Sequence, residues 1–150
     1  MNRRRVFTVT SSAVVAVVIL TAGVALAAPL SESQWKQQGN AVCKQVNKEL
    51  GAIQKDLFAG LGKNERPSAE QIDAFAAQLV PVIKGAVASI DALDEPKSLK
   101  SGVKKFEAAV NDALATVQDD PNAAFTGNKD PFTKANKVAK KIGLKACAGG

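Results

Sequence analysis

Apolar residues recur at helical spacing along most of the chain beyond residue 30. The first series keeps steps of three, four or seven positions and comprises Trp35, Val42, Val46, Leu50, Ile53 and Leu57. Such steps place the side chains on one face of a helix. Ser31 and Gln34 precede the series in the pattern of a capping box, in which each side chain binds a backbone N–H of the other residue. The pattern predicts a first helix that ends near Gly60 and Gly62.

Two further segments have the same spacing. The second series comprises Ile72, Phe75, Leu79, Ile83, Val87 and Ile90. The third series comprises Leu99, Val103, Phe106, Val110, Leu114 and Val117. Ser68 and Gln71 repeat the capping pattern before the second series, and residues 119–121 should end the third helix. Pro81 lies inside the second series, where it lacks an N–H and crowds the carbonyl four residues before it, so we expect a kink or a break there.

A shorter fourth helix is predicted after Asp130, an N-cap residue followed by a proline at the first helical position. Its apolar positions are Phe132, Ala135, Ala139 and Ile142. Gly143 and Leu144 then form the pattern of a left-handed cap with its hydrophobic contact. Because alternation of period two appears nowhere over a useful length, the sequence predicts an all-α fold, an antiparallel four-helix bundle.

The first 27 residues predict export. Three arginines at positions 3–5 precede an uncharged stretch, Val6–Leu26, which ends in small residues at 25–27. This order is that of a secretory signal peptide, here a signal peptide helix. We expect cleavage after Ala27, which leaves a helical bundle domain at 28–150 that is secreted or held in the cell wall. The alternative is an N-terminal membrane anchor, because the stretch is long enough to span a bilayer if it is not cleaved.

The chain lacks several of the side chains on which enzymes most often depend. The chain of 150 residues has no histidine and no tyrosine, and its one methionine is Met1. These are the residues most used for proton transfer near neutral pH, for radical chemistry and for haem ligation. We therefore expect a protein without catalytic activity, without a metal and without a cofactor.

Two cysteines, Cys43 and Cys147, are the only thiols in the sequence. An exported protein meets an oxidising environment, so an even count of two favours one disulfide. The alternatives are a redox pair or a metal site. Both fit poorly, because a thioredoxin-type pair has both thiols within one helical turn, and zinc requires about four ligands, which two distant cysteines in a chain without histidine do not supply. The expected bridge closes a loop of 104 residues, for which chain entropy gives an upper figure of about 4–5 kcal/mol.

Carboxylates are the remaining candidates for acid and base chemistry. The main ones are Glu49, Asp56, Glu107, Asp112, Asp119 and Asp120. Glycan cleavage needs two carboxylates that face each other across a cleft, and the spacing selects no such pair. The polar stretch 119–130 has side-chain oxygens that could bind calcium, but it lacks the spacing of a known calcium loop. The prolines within it and directly after it explain it more simply, as residues that end one helix and begin the next.

Positive charge is concentrated near the end of the sequence. The formal net charge of +6 falls to +3 when the three arginines leave with the signal peptide. Residues 129–150 hold six lysines and one aspartate, a net of +5, whereas residues 28–128 hold eleven basic and thirteen acidic residues, a net of −2. Four lysines follow helical spacing: Lys134, Lys137, Lys141 and Lys145. They would form a patch that docks on an anionic envelope polymer or on lipid head groups.

The alternative interpretation of these lysines is that they only solvate the outer side of a short helix. Nucleic acid is excluded as a partner, because the protein is expected to be exported and no aromatic side chains lie among the lysines. Another envelope protein remains a possible partner.

A resemblance rests on residues near the two cysteines. Gly39-Asn40-Ala41-Val42-Cys43 with Asn47, and Ile142-Gly143-Leu144 before Cys147, resemble a loose group of small exported actinobacterial proteins. That group pairs Asn-Ala-x-Cys near the mature start with Gly-Leu-x-x-Cys at the end. The resemblance implies a helical fold and a terminal disulfide, and it brings no catalytic residue and no known function.

The leading hypothesis is a secreted or envelope-associated helical protein with a binding or structural role and no catalysis. The first alternative is a carrier that holds a small apolar ligand inside the bundle, with Trp35 or Phe75 lining the pocket. The second alternative is an envelope enzyme that works through carboxylates.

Overall fold

The computed structural model describes residues 30–62, 65–125 and 130–149. These ranges contain four α-helices: α1 (Glu32–Leu57), α2 (Ala69–Asp91), α3 (Lys100–Asp119) and α4 (Thr133–Ile142). Two short 3₁₀ helices, Pro121–Ala124 and Lys145–Cys147, follow α3 and α4, and no strand occurs in the described ranges. The all-α prediction is therefore confirmed. The predicted signal peptide at 1–27 lies outside the described residues.

Both predicted capping boxes are present. At the start of α1, Ser31 Oγ accepts a hydrogen bond from the N–H of Gln34 at 3.3 Å, and Gln34 Oε1 accepts one from the N–H of Ser31 at 3.0 Å. Ser68 and Gln71 make the same exchange at the start of α2. The side-chain amide of Gln71 also donates to the carbonyl of Leu57 at 2.7 Å, which joins the start of α2 to the last residue of α1.

Two local expectations differ from the structure. α2 continues through Pro81 from Ala69 to Asp91, so the expected break does not occur. Pro81 and Ala77 are both exposed, so we expect water to solvate the Ala77 carbonyl that loses its helical partner, which lowers the cost of the proline. α4 begins at Thr133, three residues after Asp130, because the Asp130 carboxylate accepts from the N–H of Phe132 at 2.9 Å and forms a turn.

The helices pack in two antiparallel pairs, α1 with α2 and α3 with α4, and α2 also contacts α3. This arrangement confirms the predicted bundle. The C-terminal 3₁₀ helix lies against α1 and α4 and closes the remaining side. The largest fully buried side chains come from all parts of the bundle: Trp35, Ile90, Val103, Leu114, Val117 and Leu144.

The turn after α4 has the predicted left-handed cap. Gly143 has a φ of 86°, and the N–H of Leu144 donates to the carbonyl of Ala139 at 2.9 Å. Leu144 then packs onto α1 at Gly39, where an added Cβ would lie 2.6 Å from Leu144 Cδ2. A side chain at position 39 would therefore force Leu144 to shift, so glycine favours the close approach of the C-terminal segment to α1.

α2 is unusually apolar for a helix in a small bundle. By length and composition alone it could cross a membrane, and it is the one helix in the described ranges for which this holds. Its most apolar 18-residue window has a mean hydropathy of 1.3, yet only 22% of that window is buried. Most of that window is therefore not buried in the bundle.

Candidate functional site

A cavity of about 270 Å³ lies between the four helices, next to the disulfide. Its apolar walls are formed by Val46, Leu50, Leu79, Ile83, Val87, Ile90, Phe106, Val110 and Phe132. Ala135 of α4 faces the same space, and its small side chain leaves room there. The walls therefore come from every helix of the bundle, as in ligand sites between the helices of other bundles.

Several wall residues are incompletely buried although they face the interior. Leu50, Ile83, Val87 and Phe132 are all half-buried, whereas Ile90 and Val110 deeper in the bundle are buried. Close packing would bury all of these side chains. Their remaining exposure shows that the cavity opens to solvent on one side.

Polar groups surround the open side of the cavity. Asn47, Asp130 and Asn136 contribute to its lining. Asp130 Oδ2 lies 3.5 Å from Asn136 Nδ2, and Asn47 Nδ2 donates to the carbonyl of Ala146 at 2.9 Å. Asp130 is exposed and supplies an acceptor that faces water. The cavity thus combines an apolar interior with amide and carboxylate groups at its opening.

The disulfide between Cys43 and Cys147 is confirmed and forms part of the cavity wall. It joins α1 to the C-terminal 3₁₀ helix, with Cα atoms 5.0 Å apart across a sequence separation of 104. No free cysteine occurs in the described ranges. The expected bridge is therefore present and engages both cysteines.

Two asparagines of α1 hold the same C-terminal segment on either side of the disulfide. Asn40 Nδ2 donates to the carbonyl of Gly143 at 2.8 Å, and Asn40 Oδ1 accepts from the N–H of Ala146 at 2.7 Å. Asn47, one turn beyond Cys43, binds the carbonyl of Ala146. Because positions 40, 43 and 47 lie on one helical face, they act together as a clamp. The motif residues that carry the sequence resemblance are thus explained by packing and hydrogen bonding.

The two aromatic residues proposed to line a pocket lie outside this cavity. Trp35 is 0% exposed in the core, where its indole N–H has no hydrogen-bond partner among the described residues. Phe75 packs with Phe58 and Phe125, and the three ring centroids are 5.4–5.7 Å apart. These distances are those of an aromatic cluster. The interior walls instead come mainly from aliphatic residues, together with Phe106 and Phe132, all of which belong to the apolar series that predict the helices.

A second, wider recess runs along the outer surface between α1 and α2. It has a volume of about 830 Å³ and is lined in part by Val42, Ile53, Ala77, Pro81 and Val82. These side chains are half-buried or exposed. An open groove of this kind covers less of a small ligand than an interior cavity does, so the interior cavity is the better ligand site.

The four lysines of the predicted patch are all exposed on α4 and the segment after it. Lys134 forms an ion pair with Asp112 of α3, with Nζ and Oδ2 3.0 Å apart. Lys137, Lys141 and Lys145 have no carboxylate within 4 Å among the described residues. The patch therefore keeps most of its charge.

Glu107 is a candidate carboxylate that lies near other acidic side chains. Burial, together with the nearby charges of Asp91 and Glu95, raises the pKa of Glu107, and Lys104 lowers it in part. Glu107 Oε1 is buried without a hydrogen-bond partner in the described ranges. The other candidates are exposed residues: Glu49, Asp56, Asp112, Asp119 and Asp120. Asp120 caps the 3₁₀ helix after α3 by accepting from the N–H of Asn122.

No group of three or more acidic or cysteine side chains that could hold a metal occurs in the part of the chain that the structure describes. Comparison with models of protein families, with curated proteins and with solved structures finds no match. The cavity and its surroundings are therefore the basis for a functional proposal.

Proposed function

We propose that this protein is an exported, non-catalytic binding protein that carries a small apolar ligand in the cavity between its four helices. The cavity itself is the observation that supports the proposal. It has apolar walls from every helix, an opening to solvent and polar groups at that opening. These are the features of sites that bury a ligand and orient one end of it.

The cavity volume limits the size of the ligand. A cavity of about 150 Å³ holds benzene, and drug-sized ligands need about 300 Å³ or more. At about 270 Å³, the cavity fits a molecule of about ten non-hydrogen atoms. A monocyclic or bicyclic hydrocarbon skeleton, or a short branched chain, has this size.

The opening limits the charge of the ligand. Asp130 places a carboxylate beside the amide of Asn136, and Asn47 lines the same cavity. A carboxylate repels an anionic head group and accepts hydrogen bonds from a hydroxyl or an amine. The proposed ligand is therefore neutral or positively charged, with an apolar body and one hydrogen-bond donor.

Export and the absence of catalysis are part of the proposal. The disulfide supports an oxidising compartment outside the cytoplasm, and the signal sequence at 1–27 supports secretion or retention in the cell wall. The lack of histidine and tyrosine supports a role in binding. The exposed carboxylates add no second candidate function.

A pair of valine substitutions on α2 tests the proposal. Val87 lines the interior cavity and Val82 lines the outer groove, and both are half-buried. Val87→Phe should fill the cavity, whereas Val82→Phe adds the same atoms outside it. Naphthalene is a suitable neutral probe, and octanoate is an anionic probe of similar size.

We expect naphthalene to raise the unfolding temperature of the wild-type protein and of Val82→Phe, and to have little effect on Val87→Phe. Octanoate should bind more weakly than naphthalene. Equal responses of the two variants, or no response of the wild type to any neutral probe, would overturn the proposal. Native mass spectrometry of protein from its own culture medium would then identify the natural ligand.

A further inference from the structure

Lysines are concentrated in two separate parts of the sequence, around the start of α3 and along α4. The α3 group comprises Lys97, Lys100, Lys104 and Lys105, and the α4 group comprises Lys134, Lys137, Lys140, Lys141 and Lys145. All nine are exposed. No acidic residue occurs at 97–106 or at 131–149. We refer to these nine residues as the basic surface.

Two contacts fix how the groups lie relative to each other. The ion pair between Asp112 and Lys134 joins the middle of α3 to the start of α4. Gly102 near the start of α3 is packed against Ile142 at the end of α4. The helices therefore run antiparallel between these contacts, and Lys105 lies at the level of Lys140 and Lys141. The two lysine groups thus lie on two helices that pack against each other.

The charge of the basic surface is largely uncompensated. Lys134 is its one member with a carboxylate within 4 Å among the described residues. Lys104 lies close enough to Glu107 to lower the pKa of that carboxyl in part, but it forms no ion pair. Eight lysines consequently remain available to an anionic partner.

Helix stability does not explain the α3 group. Leu99 is the N-cap of α3 and makes no side-chain hydrogen bond, and no acidic residue lies in the first turn. The N-terminus of a helix carries partial positive charge, so lysines there are unfavourable. Lys140 and Lys141, in contrast, lie at the favourable end of α4. An anion bound at the start of α3 would offset both the lysine charges and the free N–H groups.

The surface near the start of α3 also has a suitable shape. Lys97, Lys100, Lys104 and Lys105 surround an open recess of about 560 Å³, with Ser101 at its base. On a helix, lysines three or four positions apart are about 5–6 Å from each other. They therefore form rows in which successive cations can contact successive charges of a polymer.

We propose that the basic surface binds a linear, phosphate-rich polyanion outside the cytoplasm. Anionic lipid head groups also attract polybasic surfaces, but firm membrane binding by a helix adds the insertion of large apolar side chains. Here Leu99 and Val138 are half-buried, and Val103, Ile142 and Leu144 are buried. The surface offers electrostatic contact alone, which a flexible polymer follows along both rows. This inference is independent of the ligand cavity.

Binding to inorganic polyphosphate tests the proposal, with orthophosphate as the monomeric control. The variant Lys97→Gln/Lys100→Gln/Lys104→Gln/Lys105→Gln removes the α3 group. A matched control removes four exposed lysines of α1 and α2: Lys44→Gln/Lys48→Gln/Lys55→Gln/Lys84→Gln. Both variants have the same net charge, and circular dichroism checks that both remain folded.

We expect the α3 variant to bind polyphosphate at least about tenfold more weakly than the wild type at low salt. The slope of log K against log salt should also become less steep, by about one for each lysine that contacts phosphate. The control should bind within about twofold of the wild type. Equal weakening of both variants would overturn the proposal, because net charge alone would then explain binding. If the protein binds vesicles that contain anionic lipids but does not bind polyphosphate, the proposal is overturned in favour of a membrane.

Discussion

The side-chain oxygen of Asn40 accepts a hydrogen bond from the backbone N–H of Ala146, 106 residues later in the chain, at 2.7 Å. The same side chain donates to the carbonyl of Gly143. One residue of α1 therefore satisfies two backbone groups of the C-terminal segment. The contact is half-buried and lies one turn before Cys43, so it stabilises the segment independently of the disulfide.

Replacement of Asn40 should destabilise the protein. Asn40→Ala leaves the N–H of Ala146 and the carbonyl of Gly143 without their partner, which costs about 2 kcal/mol. The free energy of unfolding in urea measures this change. Asn111→Ala, at an exposed position of α3, is the control and should change stability by less than about 0.5 kcal/mol. A similar effect of both substitutions would contradict the role of Asn40.

Removal of the disulfide should cost more. Cys43→Ala/Cys147→Ala opens a loop with a sequence separation of 104, and chain entropy gives a loss of up to about 4–5 kcal/mol. The hydrogen bonds of Asn40 and Asn47 still hold the segment, so we expect the double variant to fold with a lower unfolding midpoint. An unchanged midpoint would show that the bridge does not constrain the unfolded chain.

Two glycines of α1 should respond in opposite directions to the same substitution. Gly39→Ala places a Cβ against Leu144, and we expect a loss of about 1–2 kcal/mol. Nothing lies within 4 Å of a Cβ at Gly51, so Gly51→Ala should stabilise the protein by about 0.5–1 kcal/mol through helix propensity. Thermal unfolding of the two variants measures both effects. The prediction fails if Gly39→Ala is also stabilising.

Glu107 should make stability depend on pH. Burial and the neighbouring carboxylates raise the pKa of Glu107 above the ordinary value of 4.5, so the folded protein binds this proton more tightly than the unfolded chain does. The resulting stabilisation is complete below pH 4.5 and is lost as pH rises through the raised pKa. Glu107→Gln removes this loss, so it should stabilise the protein at neutral pH, within about 1 kcal/mol, and have a smaller effect in acid.

Urea unfolding of Glu107→Gln and wild type across this pH range measures the effect. Glu49→Gln, at an exposed position of α1, is the control. A stability difference between Glu107→Gln and wild type that is constant with pH would contradict the assignment.

The exported protein should begin at Ala28. Cleavage after Ala27 removes the signal peptide, and the mature chain of 123 residues then lacks the three arginines at positions 3–5. Intact mass of protein from the culture medium or the cell wall measures this directly. A mass that includes residues 1–27 would instead support the N-terminal membrane anchor.

The helices were predictable because their sequence signals are local, and the disulfide was predictable because only one pairing of two cysteines exists. The spacing of apolar residues and the pairs Ser31–Gln34 and Ser68–Gln71 mark helices within a few residues. Two cysteines in an exported chain have one simple pairing. The start of α4 was misplaced because an Asp-Pro sequence suits both an N-cap and the turn that Asp130 forms here.

The cavity was not predictable, because it depends on how closely four helices approach. Ile83 and Val87 recur at the same helical spacing as the buried Val103, which lies outside the cavity lining, and only the tertiary structure shows that they border an open space. The α3 lysines were missed for a different reason. Residues 28–128 have a net charge of −2, because acidic residues elsewhere in this range outweigh the lysines, and this sum hides the α3 group. The absence of acidic residues at 97–106 was a signal that could have found it.

The wall of the cavity includes Cys147 and Gly149 as well as residues of α1. In a chain that crosses a membrane unfolded and in order, α1 emerges more than 90 residues before that wall is available. If the protein is exported as we propose, a complete binding site exists only after the C-terminal segment has followed α1 across the membrane. The proposed carrier would then take up its ligand outside the cytoplasm, as an acceptor of extracytoplasmic molecules and not as an exporter of cytoplasmic ones.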